Sequence, residues 1–212
     1  MLVFILAFCA EILPIVFYLV FLKRNRGEGL WVIFLYCVFS LLTEMLFAMA
    51  QQQIFYMLFA IVQFTLFSFF FYSSLEGKKV KYIPIIGALV FYVVAISNFT
   101  NKKFDSISVS LSSVLIITYC ILLLYELIKD PKILFVYYQK KFWVIIAFLL
   151  YFSATFFLFL YARALTPTEH AKYWAINNFF EILKNILFCI AFIMKKNVQP
   201  SYLTDNLDPD IM

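Results

Sequence analysis

Seven apolar runs, each near the length that crosses a lipid bilayer, leave this chain few folds to choose from. About 20 apolar residues cover the hydrocarbon core, and runs that meet or approach this occur at 2–22, 30–50, 54–74, 83–97, 107–128, 142–162 and 174–194. Inside hydrocarbon a segment must satisfy its own backbone N–H and C=O groups, so such runs are predicted as α-helices. The expected fold class is all-α: a polytopic membrane helix bundle of seven transmembrane helices. The fourth run is the shortest and carries Pro84 at its start. The chain is 65% hydrophobic, outside the usual soluble range. It has 28 Phe but only 4 Gly, so bulky side chains rather than Gly-mediated contacts are expected to pack the helices.

Residues 1–196 read as one transmembrane domain and 197–212 as an acidic cytoplasmic tail carrying Asp205, Asp208 and Asp210. The connections between runs are too short for a soluble catalytic or kinase domain. The first run lacks a basic flank and an A-x-A cleavage site, so it is expected to remain in the protein. Lys and Arg then set orientation. The connections holding Lys23, Lys78, Lys129, Lys140 and Lys195 carry twelve Lys and Arg, against four on the opposite side, Lys102, Lys103, Arg163 and Lys172. The expected topology is N-terminus outside, C-terminus inside, as a multi-pass protein of the cell (inner) membrane. Trp31, Trp143, Tyr173 and Trp174 fall where interfacial aromatic belts are expected. Tyr137 and Tyr138, beside Lys140 and Lys141, suit a short interfacial helix.

Laying Trp31-Val32-Ile33 over Trp143-Val144-Ile145 without gaps also matches Thr43 with Thr155, Leu46 with Leu158 and Phe47 with Phe159. Read as an internal repeat this gives a parallel 3+1+3 arrangement, as in some transporters. Chance alignment of Phe- and Leu-rich segments is the competing reading.

Polar residues inside the runs carry the functional information, because a charge at mid-membrane is costly and usually faces a bundle interior. The seventh run holds Asn177, Asn178, Glu181, Lys184 and Asn185; Glu11 lies near the middle of the first, Thr43 and Glu44 in the second, Gln63 in the third. Ser112, Ser113, Thr118, Ser153 and Thr155 complete the set. Almost all lie at mid-depth or outward, whereas the inner half is nearly pure Phe, Leu, Ile and Val apart from Glu126 at its edge. Turned inward, Glu11, Glu44, Gln63, Asn177, Asn178, Glu181 and Lys184 would line a ligand or ion pocket in the outer half. Glu181 and Lys184, spaced i, i+3, share a helix face and can pair. One Lys cannot neutralise three carboxylates, so at least one Glu must be protonated, bind a cation or sit in water. Glu11, being central, needs a partner from another helix. The competing structural readings are that Glu181–Lys184 only holds helices together and that the Ser and Thr hydroxyls bond their own backbone.

Enzyme chemistry finds no support. His170 is the single histidine and is expected in the loop before the seventh run, beside Glu169. H-E-x-x-H, G-x-S-x-G and a phosphate-cradling Gly loop are all missing from the sequence. Cys9, Cys37, Cys120 and Cys189 show no metal spacing and read as buried small hydrophobes. No metal, catalytic residue or cofactor is called for: Lys184 matches the retinal lysine of other seven-helix proteins in position alone, since the third run has no carboxylate counter-ion. The net charge of +5 is spread over loops and offers no patch for nucleic acid.

The stretches 151–160 (YFSATFFLFL) and 181–192 (EILKNILFCIAF) resemble segments of small seven-helix bacterial membrane proteins, some similar to the N-terminal membrane modules of sensor histidine kinases. The resemblance implies a sensory or accessory role, here without a kinase domain. The expected function is a non-enzymatic membrane sensor or accessory protein that signals from its outer-half pocket to a protein partner at the cytoplasmic face. A small 3+1+3 transporter or ion conductor using the intramembrane Glu residues is the alternative, and a pore-forming effector a third reading. The lipid bilayer is the obligate partner, and a second copy of the chain is a candidate one.

Overall fold

The computed structural model describes residues 2–26, 29–50, 53–98, 106–130, 135–161 and 167–195. The expected acidic tail, and Lys102, Lys103 and Arg163 from the charge count, lie outside these residues. Among the described residues there are helices and no strands: α1 (Leu2–Val20), α2 (Leu22–Asn25), α3 (Trp31–Ala50), α4 (Gln53–Ser74), α5 (Ile83–Asn98), α6 (Ser106–Lys129), α7 (Lys140–Tyr161) and α8 (Pro167–Ile193). Five stretches of the described residues are long and apolar enough to cross a membrane, lying in α4, in α5 with its preceding turn, and in α6, α7 and α8. The apolar stretches Leu6–Val20 and Trp31–Leu46 of α1 and α3 are shorter.

Proline sets two of the helix starts. Pro84 occupies the first turn of α5, where its missing N–H has no helical partner to lose. A 3-10 turn, Val80–Tyr82, leads into it. Pro167 opens α8 well ahead of the expected start at Trp174, so His170, expected in a loop, belongs to the helix instead. The expected interfacial helix at Tyr137 and Tyr138 is a single 3-10 turn, Val136–Tyr138.

Side chains on the long helices divide into an inward stripe and a largely apolar outer face. On α1, Ala7, Ala10, Glu11, Pro14 and Tyr18 are buried, at helical spacing, while Leu13, Val16, Leu19 and Val20 are exposed. Cys9 falls between the buried positions and is exposed, contrary to expectation; Cys37, Cys120 and Cys189 are buried as expected. The helices pack in chain order around a ring, α1 on α3, α3 on α4, and so on to α8, which closes against α1. Phenylalanine fills the interior: Phe67 lies 4.4 Å from Phe148, which lies 5.4 Å from Phe188, all fully buried. The close approach of α5 to α6 depends on Gly87, where a Cβ would overlap the Tyr119 hydroxyl.

One end of the bundle is tied by polar contacts that run between connections. Asn25 Nδ2 donates to the Phe192 carbonyl at 3.2 Å, and Arg24 donates to that of Ile193, so the connection after α1 caps the end of α8. Lys140 Nζ, buried at the start of α7, donates to the Arg24 carbonyl at 2.7 Å and to Asn25 Oδ1 at 3.1 Å. The Glu126 carboxylate accepts from the Glu76 and Gly77 N–H groups at 3.0 and 3.1 Å. Apart from Glu126, these polar groups belong to the connections and helix termini, whose carbonyls need donors. These contacts also gather the strongly basic connections, with Lys78, Lys129, Lys140 and Lys195, at a single end.

Candidate functional site

Glu11, Ser40 and Lys184 each stand roughly nine residues, or about 14 Å, from the basic end of their helices. Equal depth on three neighbouring helices lets them meet. The Ser40 hydroxyl donates to Glu11 Oε1 at 3.0 Å, joining α3 to α1 and supplying the interhelical partner that Glu11 requires. Glu11 is 4% exposed, and its second oxygen, Oε2, has no hydrogen-bond partner among the described residues.

Lys184 is 2% exposed, and its ammonium is enclosed on several sides. Nζ donates to Glu181 Oε1 at 2.8 Å and to the Tyr36 hydroxyl at 2.7 Å. It also lies over the rings of Tyr36 and Tyr151, 5.0 and 4.5 Å from their centroids. A desolvated cation gains from aromatic faces as well as from a carboxylate, and here it has both. The Tyr151 hydroxyl donates to Asn177 Oδ1 at 3.2 Å, which brings α7 into the cluster. The Tyr36 ring packs on Phe67 at 4.6 Å, so its hydroxyl belongs to the polar cluster while its ring begins the aromatic layer.

The residues expected in the site are not equally engaged. Glu11, Asn177, Glu181 and Lys184 come together. Glu44, half-buried one turn beyond Ser40 on α3, lies within electrostatic reach of Glu11, Glu181 and Lys184 and makes no hydrogen bond to them among the described residues. Gln63 is half-buried on the α4 face that it shares with Phe59 and Phe67, which both pack on Tyr36, but no hydrogen bond links it to the cluster among the described residues. Asn178 is buried on the same helix face as Asn185, whose Nδ2 has no partner among the described residues. The hydroxyls of Thr43, Ser112, Ser113, Thr118 and Thr155 donate to carbonyls of their own helices, which removes them from the site.

Three members went unnoticed in the sequence: Ser40, Tyr36 and Tyr151. For two of them a signal exists. Tyr36, Ser40 and Glu44 recur at i, i+4, i+8 on one face of α3, a spacing that aligns polar groups on a helix. Tyr151 has no such mark among 14 tyrosines. No protein-family model, curated protein or solved structure matches this chain, so the cluster has to be read from its own chemistry.

Proposed function

We propose that this chain is a seven-span, non-enzymatic sensor or accessory protein of the inner membrane, with its N-terminus outside and its C-terminus inside. The polar cluster takes up a small ligand or ion in the outer half of the bundle, and a protein partner reads the outcome at the basic cytoplasmic face. One observation carries this reading: a buried carboxylate oxygen on Glu11 has no hydrogen-bond partner among the described residues, beside an ammonium that three helices enclose. Intramembrane charges of this kind are functional more often than ornamental, given their cost. The tilted and edge-on contacts of Phe67, Phe148 and Phe188 beneath the cluster favour a closed sensor over a conductor. The resemblance of 151–160 and 181–192 to segments of small seven-helix bacterial membrane proteins, some similar to sensor modules, supports the same reading. α8 supplies a route for the signal, because it holds Lys184 at mid-depth and ends under the caps from Arg24 and Asn25.

A carrier is the second reading, favoured by three carboxyl groups gathered about one ammonium. It requires the aromatic layer to part. Proteoliposome flux and inner-end distances separate the two. For a sensor, Glu181→Gln and Lys184→Met leave ion flux at the background of empty vesicles, as in the wild type. The distance between spin labels at Tyr82→Cys and Lys195→Cys, in a Cys9→Ser background, nevertheless shifts with Lys184→Met. Flux above background in the wild type that either substitution alters would overturn the sensor reading.

A further inference from the structure

More than nine-tenths of Glu11 is buried, yet only one of its two carboxyl oxygens is bonded among the described residues. Lys184 does not supply the missing bond. Its ammonium donates to Glu181 and Tyr36 and is covered by the rings of Tyr36 and Tyr151. The titratable and charged groups that face Glu11 are Glu44 and Cys37 from α3, Glu181 and Lys184 from α8, and Tyr151 from α7. With every carboxyl ionised, three negative charges would confront one positive charge.

Glu11, Tyr36, Cys37, Asn177 and Lys184 are all buried. Glu11 Oε2 is itself closed to solvent, so a ligand held on it must occupy almost no volume. A hydrated or multiply coordinated cation needs room and several oxygens. Among the described residues, no group of three or more His, Cys, Asp or Glu is arranged to hold a metal ion. A proton needs neither.

The geometry points to Glu11 as a proton-binding site: the ligand of the cluster is a single proton, held on Oε2 and drawn from the outer side, where Glu44 lies. This inference rests on the ligand-site reading above and names its ligand. Glu44 and Ser40 stand four residues apart on α3, hence on one face. Glu44 is the more exposed of the two, and Ser40 already donates to Glu11 Oε1. Uptake converts the carboxylate to a carboxylic acid and leaves the Ser40 and Lys184 hydrogen bonds in place. Glu181 is then paired with Lys184, and Glu44 is the remaining charge at the rim. Release of the proton sets an uncompensated carboxylate of α1 against Glu181 of α8, which favours parting of these two helices.

Difference infrared spectroscopy on the full chain in lipid vesicles, stepped between acidic and alkaline buffer, tests this directly. A carboxylic-acid carbonyl band that shifts in deuterated water is expected in the wild type and in Glu44→Gln, and lost in Glu11→Gln. Where Glu11→Gln fails to fold, Glu11→Asp serves, with the expectation that the band moves in frequency. A band unchanged in both Glu11 variants, or no titrating band in the wild type, would overturn the proton site. The Tyr82–Lys195 spin-label distance, followed over the same pH steps, tests the ligand-site reading separately. A Glu11 band that titrates while this distance stays fixed retains the proton site and removes its signalling role. A distance that moves without a Glu11 band retains the signalling role and removes the proton site.

Discussion

Lys184 makes two bonds of different structural meaning. Its pairing with Glu181 lies within α8 and survives if the helices separate, so it stabilises the membrane-inserted helix more than the assembled bundle. The bond to Tyr36 crosses from α8 to α3 and exists only in the assembled state. Interhelical polar contacts in membranes contribute about 0.5–2 kcal/mol. Tyr36→Phe, which removes the hydroxyl and keeps the ring on Phe67, is therefore expected to destabilise the bundle by about that amount. A double-mutant cycle of Tyr36→Phe with Lys184→Met, read by unfolding in mixed micelles, should show coupling of the same size; additivity within about 0.3 kcal/mol would mean that the bond contributes nothing. The polar residues of α8 and the pairing of Glu181 with Lys184 are legible from composition and spacing. That Tyr36 rather than another tyrosine receives the ammonium is not, because the choice depends on how two helices rotate about their own axes.

Between elements, the contact of α5 with α6 shows how a single small residue sets a helix separation. Gly87 faces the Tyr119 hydroxyl, which is buried without a hydrogen-bond partner among the described residues. Gly87→Ala should push the two helices apart and cost about 1–3 kcal/mol, the range for overpacking. Tyr119→Phe removes a polar atom that gains nothing from its surroundings, so alone it should be neutral or stabilising. Combined with Gly87→Ala it should recover most of the lost stability. Thermal unfolding of the four proteins measures this, and failure of Tyr119→Phe to rescue Gly87→Ala would show that the overlap is not with the hydroxyl. Helix positions agree closely with the apolar runs, since hydrophobic length alone marks a membrane-length helix. The early start of α8 is masked in the hydropathy, because residues ahead of Trp174 are polar; its sequence signal is Pro167 within the capping-box spacing of Thr166 and Glu169.

For the molecule as a whole, the gathering of basic connections at one end yields a directional expectation. Cysteines introduced at Lys78 and Ser97, at opposite ends of the bundle, should differ in labelling by a membrane-impermeant maleimide in right-side-out vesicles. Ser97→Cys should react and Lys78→Cys should not; the reverse pattern would invert the topology. The sequence by itself determined a helical bundle of membrane character, the location of most of its helices, and the excess of carboxyl groups over ammonium groups at mid-depth. Each of these follows from local chemistry, since the hydrophobic length of a segment and the cost of a buried charge do not depend on what packs beside it. Tertiary structure alone decided which polar groups meet. It joined Glu11 to Ser40 and Lys184 to Tyr36, left Glu11 Oε2 and Gln63 without a hydrogen bond to the cluster among the described residues, and drew Lys140 and Asn25 into a cap on α8. Those outcomes depend on the order of helices around the ring and on the rotation of each helix within it, which no single apolar run encodes.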